Sequence, residues 1–134
     1  MTPDKQIADF LNARTFAVVG ASTDRSKYGN KVLRAYLQNS YAVTPVNPGT
    51  ATVEGLTCYS SVKLITPVPE AISVITPPAI TENVVAEAIS IGIRNIWMQP
   101  GAESDQAIAA CEAAGVNVIH SGPCLLVVIG FRER

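Results

Sequence analysis

The chain has 134 residues and a formal net charge of −1 at pH 7; 48% of its residues are hydrophobic and 16% are charged. This length predicts a single domain over residues 1–134, and the composition excludes a disordered chain. The few Lys and Arg residues are scattered, which argues against binding to nucleic acid or to an anionic membrane.

The first five residues lack the basic and apolar regions of a signal peptide, and no apolar run approaches the ~18 residues of a membrane-spanning helix. We therefore expect a cytoplasmic protein. The three cysteines, Cys58, Cys111 and Cys124, are odd in number and widely spaced, which fits neither a disulfide framework nor a zinc site. We expect reduced thiols and no bound metal.

Apolar spacing alternates between strand and helix periods along the chain, without a linker or an internal repeat. Thr2 and Pro3 begin a first helix. Strands are predicted at 16–19, 42–46, 71–75, 95–98 and 116–119, and helices up to Asn39, near 79–91 and near 104–114, with one helical turn near 60–64. This order predicts an α/β fold of three layers, a doubly wound Rossmann-like fold with a mainly parallel five-stranded sheet.

Two stretches are left without a defined element. Residues 48–55 form an irregular piece that contains Pro48-Gly49 and Glu54-Gly55. The apolar tail at 125–131 is compatible with a last strand or with a dimer contact, and its periodicity does not separate the two.

Ligands of such sheets bind outside the carboxyl ends of the strands, where the strand order reverses. The loops that qualify are 20–30, 46–49, 76–78, 99–101 and 120–124. Each taken alone is also typical of an ordinary turn, because Gly and Pro punctuate any α/β fold. Their joint placement favours a binding site.

The first of these loops is longer than the dinucleotide-binding G-x-G-x-x-G turn, because no glycine follows Gly20 until Gly29. Its backbone N–H groups and the following helix N-terminus would face a phosphate. Hydroxyls and cations suited to phosphate, although equally typical of a solvated surface, are found at Ser22, Thr23, Arg25 and Lys27.

The end of the second strand argues against NAD. An NAD site usually carries Asp or Glu there to bind the ribose 2′-hydroxyl, and this chain has Val46, Asn47 and Pro48.

Several segments together resemble the stand-alone coenzyme A-binding protein family. They are V-V-G-A-S ending at Ser22, the helix-opening Gly29, Y-A-V-T-P-V-N-P ending at Pro48, Glu54-Gly55 and I-W-M-Q-P-G ending at Gly101. The family is similar to the CoA-binding domain of the succinyl-CoA synthetase α subunit. The resemblance spans residue 15 to about residue 124.

The resemblance implies a ligand, coenzyme A (CoA) or an acyl-CoA, and a set of contacts. The phosphates would be held by Gly20, Ala21 and Ser22 and by Tyr28, Gly29 and Asn30 at the helix start. The adenosine part would lie against Val46, Asn47 and Pro48. The pyrophosphate or the start of the pantetheine arm would contact Thr76, Pro77 and Pro78, and the far side of the cleft would be shaped by Gln99 and Gly101.

The chain departs from its synthetase relatives after the P-V-N-P segment. Where they often have Lys, it has Gly49 and Thr50. Lys27 or Arg25 would then contact the 3′-phosphate of CoA. A strand end without a carboxylate suits this ligand, since an acidic side chain would repel that phosphate.

Catalysis has little support in the sequence. The phosphohistidine domain of the synthetases is absent from this length, and His120, the lone histidine, is more typical of a loop residue. Ser22 lacks a base partner and a G-x-S-x-G elbow. Cys124 lies near the expected cleft, where it would meet the CoA thiol, but it is more typical of a small core residue, and Trp97 and Met98 are predicted core.

The sequence therefore favours a CoA-binding domain without turnover and without catalytic residues. The alternative is a small NAD(P)-dependent oxidoreductase that uses the same cleft, and Arg25 and Lys27 leave NADP open. An interaction protein with a vestigial site also remains, and the sequence identifies no protein partner.

Overall fold

The computed structural model describes residues 2–133. The chain forms, in order, α1 (Pro3–Leu11), β1 (Phe16–Val19), α2 (Tyr28–Gln38), β2 (Val43–Val46), β3 (Thr52–Val53), β4 (Leu56–Thr57), a 3-10 turn (Val62–Leu64), β5 (Ala71–Val74), α3 (Pro78–Ser90), β6 (Asn95–Met98), α4 (Asp105–Ala113), β7 (Asn117–Ile119) and α5 (Leu125–Ile129).

Five of the strands form one parallel sheet in the order β2-β1-β5-β6-β7. The predicted doubly wound α/β fold is thus confirmed. At the carboxyl edge, Val19 of β1 pairs with Val46 on one side and with Val74 on the other. From β1 the chain continues to β2 on one side of β1, and the later strands β5, β6 and β7 are added on its other side. The strand order therefore reverses between β1 and β5.

Side chains of each strand alternate between two buried layers, as a sheet covered on both faces requires. In β1, Ala17 and Val19 pack toward α3 and α4, whereas Phe16 and Val18 pack toward α1, α2 and α5. Trp97 and Met98 of β6 are both fully buried but lie in opposite layers, which confirms their prediction as core residues.

The layer on the α2 side is built around aromatic rings. Phe10 contacts Phe16 and Trp97, and Phe16 contacts Tyr36, with ring centroids between 5.2 and 5.6 Å apart. The Tyr36 hydroxyl lies 2.6 Å from Ser73 Oγ inside the sheet, so that its polar end is satisfied where no water reaches it.

Helix and strand boundaries differ from the prediction by one or two residues. The third helix begins at Pro78 instead of 79, because proline is well suited to the first helical position. The last strand begins at Asn117, since the Val116 N–H is used to bond Cys111 O at the end of α4.

The irregular piece after β2 contains a small hairpin of β3 and β4 that the sequence did not reveal. Each strand has only two residues, which is too short for a periodic signal. Its turn is formed by Glu54 and Gly55, both at positive φ, as the tight turn of a two-residue hairpin requires.

The apolar tail forms helix α5, so the alternative of a last strand is wrong. Leu125 is fully buried in the aromatic layer, and α5 packs against α2. After the helix, Phe131 lies under the Arg34 guanidinium, with 5.1 Å from Cζ to the ring centroid. None of the helices in the described part of the chain has the length and hydrophobicity that crossing a membrane requires.

Candidate functional site

At the point where the strand order reverses, the loop after β1 touches the loop after β5. Gly20 has a φ of +97°, and a Cβ built on it would lie 2.1 Å from the carbonyl oxygen of Ile75. No side chain fits that gap. The two backbones therefore meet directly at the carboxyl edge of the sheet.

The start of α2 touches the same loop from the other side. A Cβ on Gly29 would lie 2.0 Å from the carbonyl oxygen of Gly20. The N-cap residue, Lys27, makes no side-chain cap hydrogen bond, and the first turn of α2 carries no acidic residue. The helix N-terminus thus presents its backbone N–H groups and its partial positive charge beside the loop, which favours an anion.

Asn47 fastens the end of β2 to this loop. Its Nδ2 donates to the carbonyl of Ala21 at 2.6 Å, and its Oδ1 accepts from the Gly49 N–H at 2.7 Å. Both ends of the amide are used within the protein. Asn47 therefore positions the loop, whereas its neighbour Pro48 is exposed at the edge.

A charged network ties the loop to the hairpin and to α2. Asn30, fully buried, donates to Ser22 O at 2.8 Å and to Glu54 at 3.1 Å, and it accepts from Arg34 Nε at 2.6 Å. Glu54 also pairs with Arg25 at 2.5 Å. The Asn30 hydrogen bond and the Arg25 and Arg34 charges lower the pKa of Glu54, so the carboxylate stays ionised.

A cavity of about 340 Å³ opens on the β2 side of the reversal point. Its walls are mostly apolar, and it extends from Gly20 to the third turn of α3. Six of the predicted site residues line it, namely Gly20, Val46, Asn47, Pro48, Thr76 and Pro77. This volume is within the usual range for a small-molecule site.

A second cavity of about 270 Å³ lies on the β6 side. Residues Ile75, Thr76 and Pro77 line both cavities and form a ridge between them. The predicted residues Tyr28 and Gly101 belong to the second cavity. The two cavities with their common ridge form one cleft along the carboxyl edge of the sheet.

Beside the second cavity, Tyr28 contacts two side chains from the segments that follow β6 and β7. Its hydroxyl donates to Gln99 Oε1 at 3.0 Å and lies 2.6 Å from Cys124 Sγ. Gln99 Oε1 also accepts from the Leu125 N–H at 2.9 Å. Burial and the contact with Cys124 raise the pKa of the Tyr28 hydroxyl, which keeps it neutral.

The other predicted site residues line neither cavity. Gly29 and Asn30 are buried at the start of α2, and Ala21 is buried under the loop. Gln99 is fully buried beneath Tyr28, and so does not itself shape the cleft wall. Ser22 is partly buried, with its Oγ accepting from the Asp24 N–H, and Lys27 and Pro78 are exposed. As ligand contacts, these seven residues and the eight that line the cavities all remain predictions.

The sequence did not predict four polar residues that line the first cavity from the 3-10 turn and from α3. They are Ser60, Ser61, Asn83 and Glu87. Ser61 precedes the 3-10 turn and donates to Glu87 Oε1 on α3. No sequence motif marks them, and only the fold brings them together.

The three cysteines are free thiols. Cys111 is buried against α3, and this burial raises the pKa of its thiol to about 11. Cys124 is only partly buried, which corrects the expectation of a core residue. It is the N-cap residue of the short helix α5, and part of its side chain is accessible at the protein surface. Residues 2–133 contain no group of three or more His, Cys, Asp or Glu that would hold a metal ion.

A family model described as "CoA binding domain" matches residues 14–129. A conserved hypothetical protein from Pyrococcus furiosus has a TM-score of 0.81 and 39% identity, over 86% of this chain and 98% of its own. A hypothetical protein from Pyrococcus horikoshii OT3 has a TM-score of 0.88 and 28% identity, over 95% and 89%.

A larger protein contains a similar fold. The dinucleotide forming acetyl-coenzyme A synthetase 1 of Ca. Korarchaeum cryptofilum, in complex with phosphate and ADP, has a TM-score of 0.72 and 25% identity. The match covers 80% of this chain and 25% of the synthetase chain.

The contact between the loops predicts an unequal cost for two glycine substitutions. Gly20→Ala should lower the free energy of unfolding by about 4 kcal/mol or prevent folding, since the Cβ has no space. Gly92→Ala is the matched control: its φ is +88°, but nothing lies within 4 Å, so only the backbone strain of about 1–2 kcal/mol applies. Urea unfolding measures both. Equal losses would contradict the close contact.

The network at Glu54 predicts an acid-sensitive contribution to stability. Because the folded state lowers its pKa, Glu54 stabilises the protein above its ordinary pKa of 4.5, and this contribution is lost as the pH falls through the folded value. Glu54→Gln should therefore be less stable than wild type at pH 7, and the difference should shrink by pH 3. Glu112→Gln, on the exposed face of α4, is the control. A difference independent of pH would contradict the prediction.

Proposed function

The chain belongs to the CoA-binding domain family, and from that premise we propose that it binds CoA or an acyl-CoA along the carboxyl edge of the sheet. The resemblance drawn from the sequence is confirmed by this membership. The location of the ligand, its acyl group and the absence of a reaction are the proposed parts.

The loop after β1 is the proposed phosphate site. Gly20 and Gly29 bring the backbone of the loop against the start of α2, where the helix N-terminus favours negative charge. This close backbone packing is the observation that carries the proposal. Asn47 and Asn30 hold the loop with side chains that are already hydrogen-bonded, so the ligand meets a formed site.

The two cavities suit the two ends of CoA. The apolar first cavity takes the adenosine part, next to Val46 and Pro48. The second cavity takes the pantetheine arm, which passes over the ridge at Thr76 and Pro77. Its thiol or acyl end then lies toward Tyr28.

The similar region of the archaeal synthetase supports this choice. That protein is named as an acetyl-coenzyme A synthetase, and the fold shared with it covers 25% of its chain. The shared fold therefore supports CoA or an acyl-CoA as the ligand of this chain.

We propose a binding role without catalysis. His120 Nδ1 lies 2.6 Å from the hydroxyl of the adjacent Ser121, in a loop, and Ser22 Oγ accepts a backbone N–H. Within the described residues, His120, Ser121 and Ser22 therefore do not form a catalytic triad.

The oxidoreductase alternative gains no support from the fold. The end of β2 carries Val46 and Asn47, and the Asn47 amide is used within the protein. A ribose 2′-hydroxyl would have no carboxylate partner there.

Calorimetric titration at fixed salt tests the proposal, with CoA, NAD, NADP and ATP added to protein freed of nucleotides. We expect saturable binding of CoA in preference to the other three. Preference for NADP would move the function to hydride transfer. No binding of any of the four would overturn the proposal and favour an interaction protein.

Lys27 is the proposed partner of the 3′-phosphate, since it is exposed at the start of α2 whereas Arg25 pairs with Glu54. Lys27→Gln should weaken CoA binding roughly threefold to tenfold and dephospho-CoA binding less, because only CoA carries that phosphate. Lys5→Gln, which removes a lysine paired with Asp9 on α1, is the control. An equal loss for both ligands would show that Lys27 does not contact the 3′-phosphate.

A further inference from the structure

We propose that Glu87 selects the adenine base of CoA by accepting a hydrogen bond from its exocyclic amine. This inference rests on the proposed function and adds to it the residue that reads the base.

The first cavity has a charged end and an uncharged end. Of the residues that line it in the described part of the chain, Glu87 alone carries a charge. It lies on the third turn of α3, nine residues from Pro78, which is about 13 Å along the helix axis. The phosphate loop at Gly20 lies at the other end of the same cavity.

The position of the charged Glu87 relative to Gly20 determines which way round a phosphate-containing ligand binds in the cavity. A carboxylate repels phosphate groups, so the phosphates lie at the Gly20 end, beside the start of α2. The Glu87 end must then receive a neutral part of the ligand that carries a hydrogen-bond donor. The donors of the pantetheine arm are assigned to the second cavity, and the ribose hydroxyl lies next to the phosphates, so the part of CoA proposed for the Glu87 end is adenine. Once adenine is joined to ribose, its only N–H donors are those of its exocyclic amine.

Ser61 fixes the carboxylate in the cavity wall. Its Oγ accepts from the Lys63 N–H at 3.2 Å and donates its own proton to Glu87 Oε1. Among residues 2–133, no side chain or backbone group donates to Oε2. Ser61 therefore holds one oxygen of the carboxylate, and the other oxygen is left to accept a hydrogen bond from a ligand.

The remaining lining residues suit a flat ring. Val46 and Val62 lie on the β2 side, and Ile80 and Val84 lie on α3, two turns and one turn before Glu87, respectively. Apolar walls with a small number of polar groups are the usual design of a site that orients a small heterocycle.

The test compares two ligands on two proteins. One ligand is CoA, and the other is a synthetic CoA analogue in which purine, with hydrogen at position 6, replaces adenine. Wild type should bind CoA at least about tenfold more tightly than the analogue, as expected for one hydrogen bond to a charged group. In Glu87→Met, an apolar substitution of similar length, the two ligands should bind within about threefold of each other.

Controls separate this role from a structural one. Glu87→Gln keeps an oxygen acceptor and should recover part of the preference for CoA, and Glu112→Met on α4 should keep all of it. Thermal unfolding shows whether the Glu87 variants are folded. If Glu87 only holds α3 against the 3-10 turn, Glu87→Met should weaken the binding of CoA and of the purine analogue equally.

The outcomes also separate this inference from the proposed function. If wild type binds CoA but Glu87→Met keeps the full preference over the purine analogue, the assignment of Glu87 is overturned and CoA binding stands. If wild type binds neither ligand, the proposed function itself fails.

Discussion

The site depends on the contact of three backbone segments at the reversal of strand order. Gly20, Ile75 and Gly29 approach so closely that a single methyl group on either glycine would lie about 2 Å from a carbonyl oxygen. This contact sets the path of the loop after β1 and brings the N-terminus of α2 to the edge of the sheet. The cavities on each side exist because the ridge at Ile75 to Pro77 stands between them.

The polar side chains around this contact divide into two groups. Asn30, Asn47 and Glu54 bond to the protein itself and hold the loop and the hairpin in place. Lys27 is exposed and Glu87 lines the first cavity, so both are accessible to a ligand. Many residues that the family resemblance assigns to CoA contact, such as Asn30 and Gln99, thus shape the site from beneath its surface.

The strands and the long helices were predictable because their apolar residues keep a regular period. The hairpin was not, since strands of two residues give no period. Ser61 and Glu87 lie 26 residues apart on different elements, and only tertiary packing joins them. Cys124 was expected in the core because cysteine is usually buried, yet its place at the start of a short helix leaves it partly exposed.

The ridge of Ile75, Thr76 and Pro77 follows strand β5, and a second proline, Pro78, comes directly after it. Pro77 has φ −56° and ψ 149°, and Pro78 opens α3, so the rings restrict both residues to conformations that they already occupy. Little backbone entropy remains to be lost there when a ligand binds. A ligand that occupied both cavities would therefore bend over the ridge by rotation of its own bonds, because the backbone of the ridge has little freedom to move.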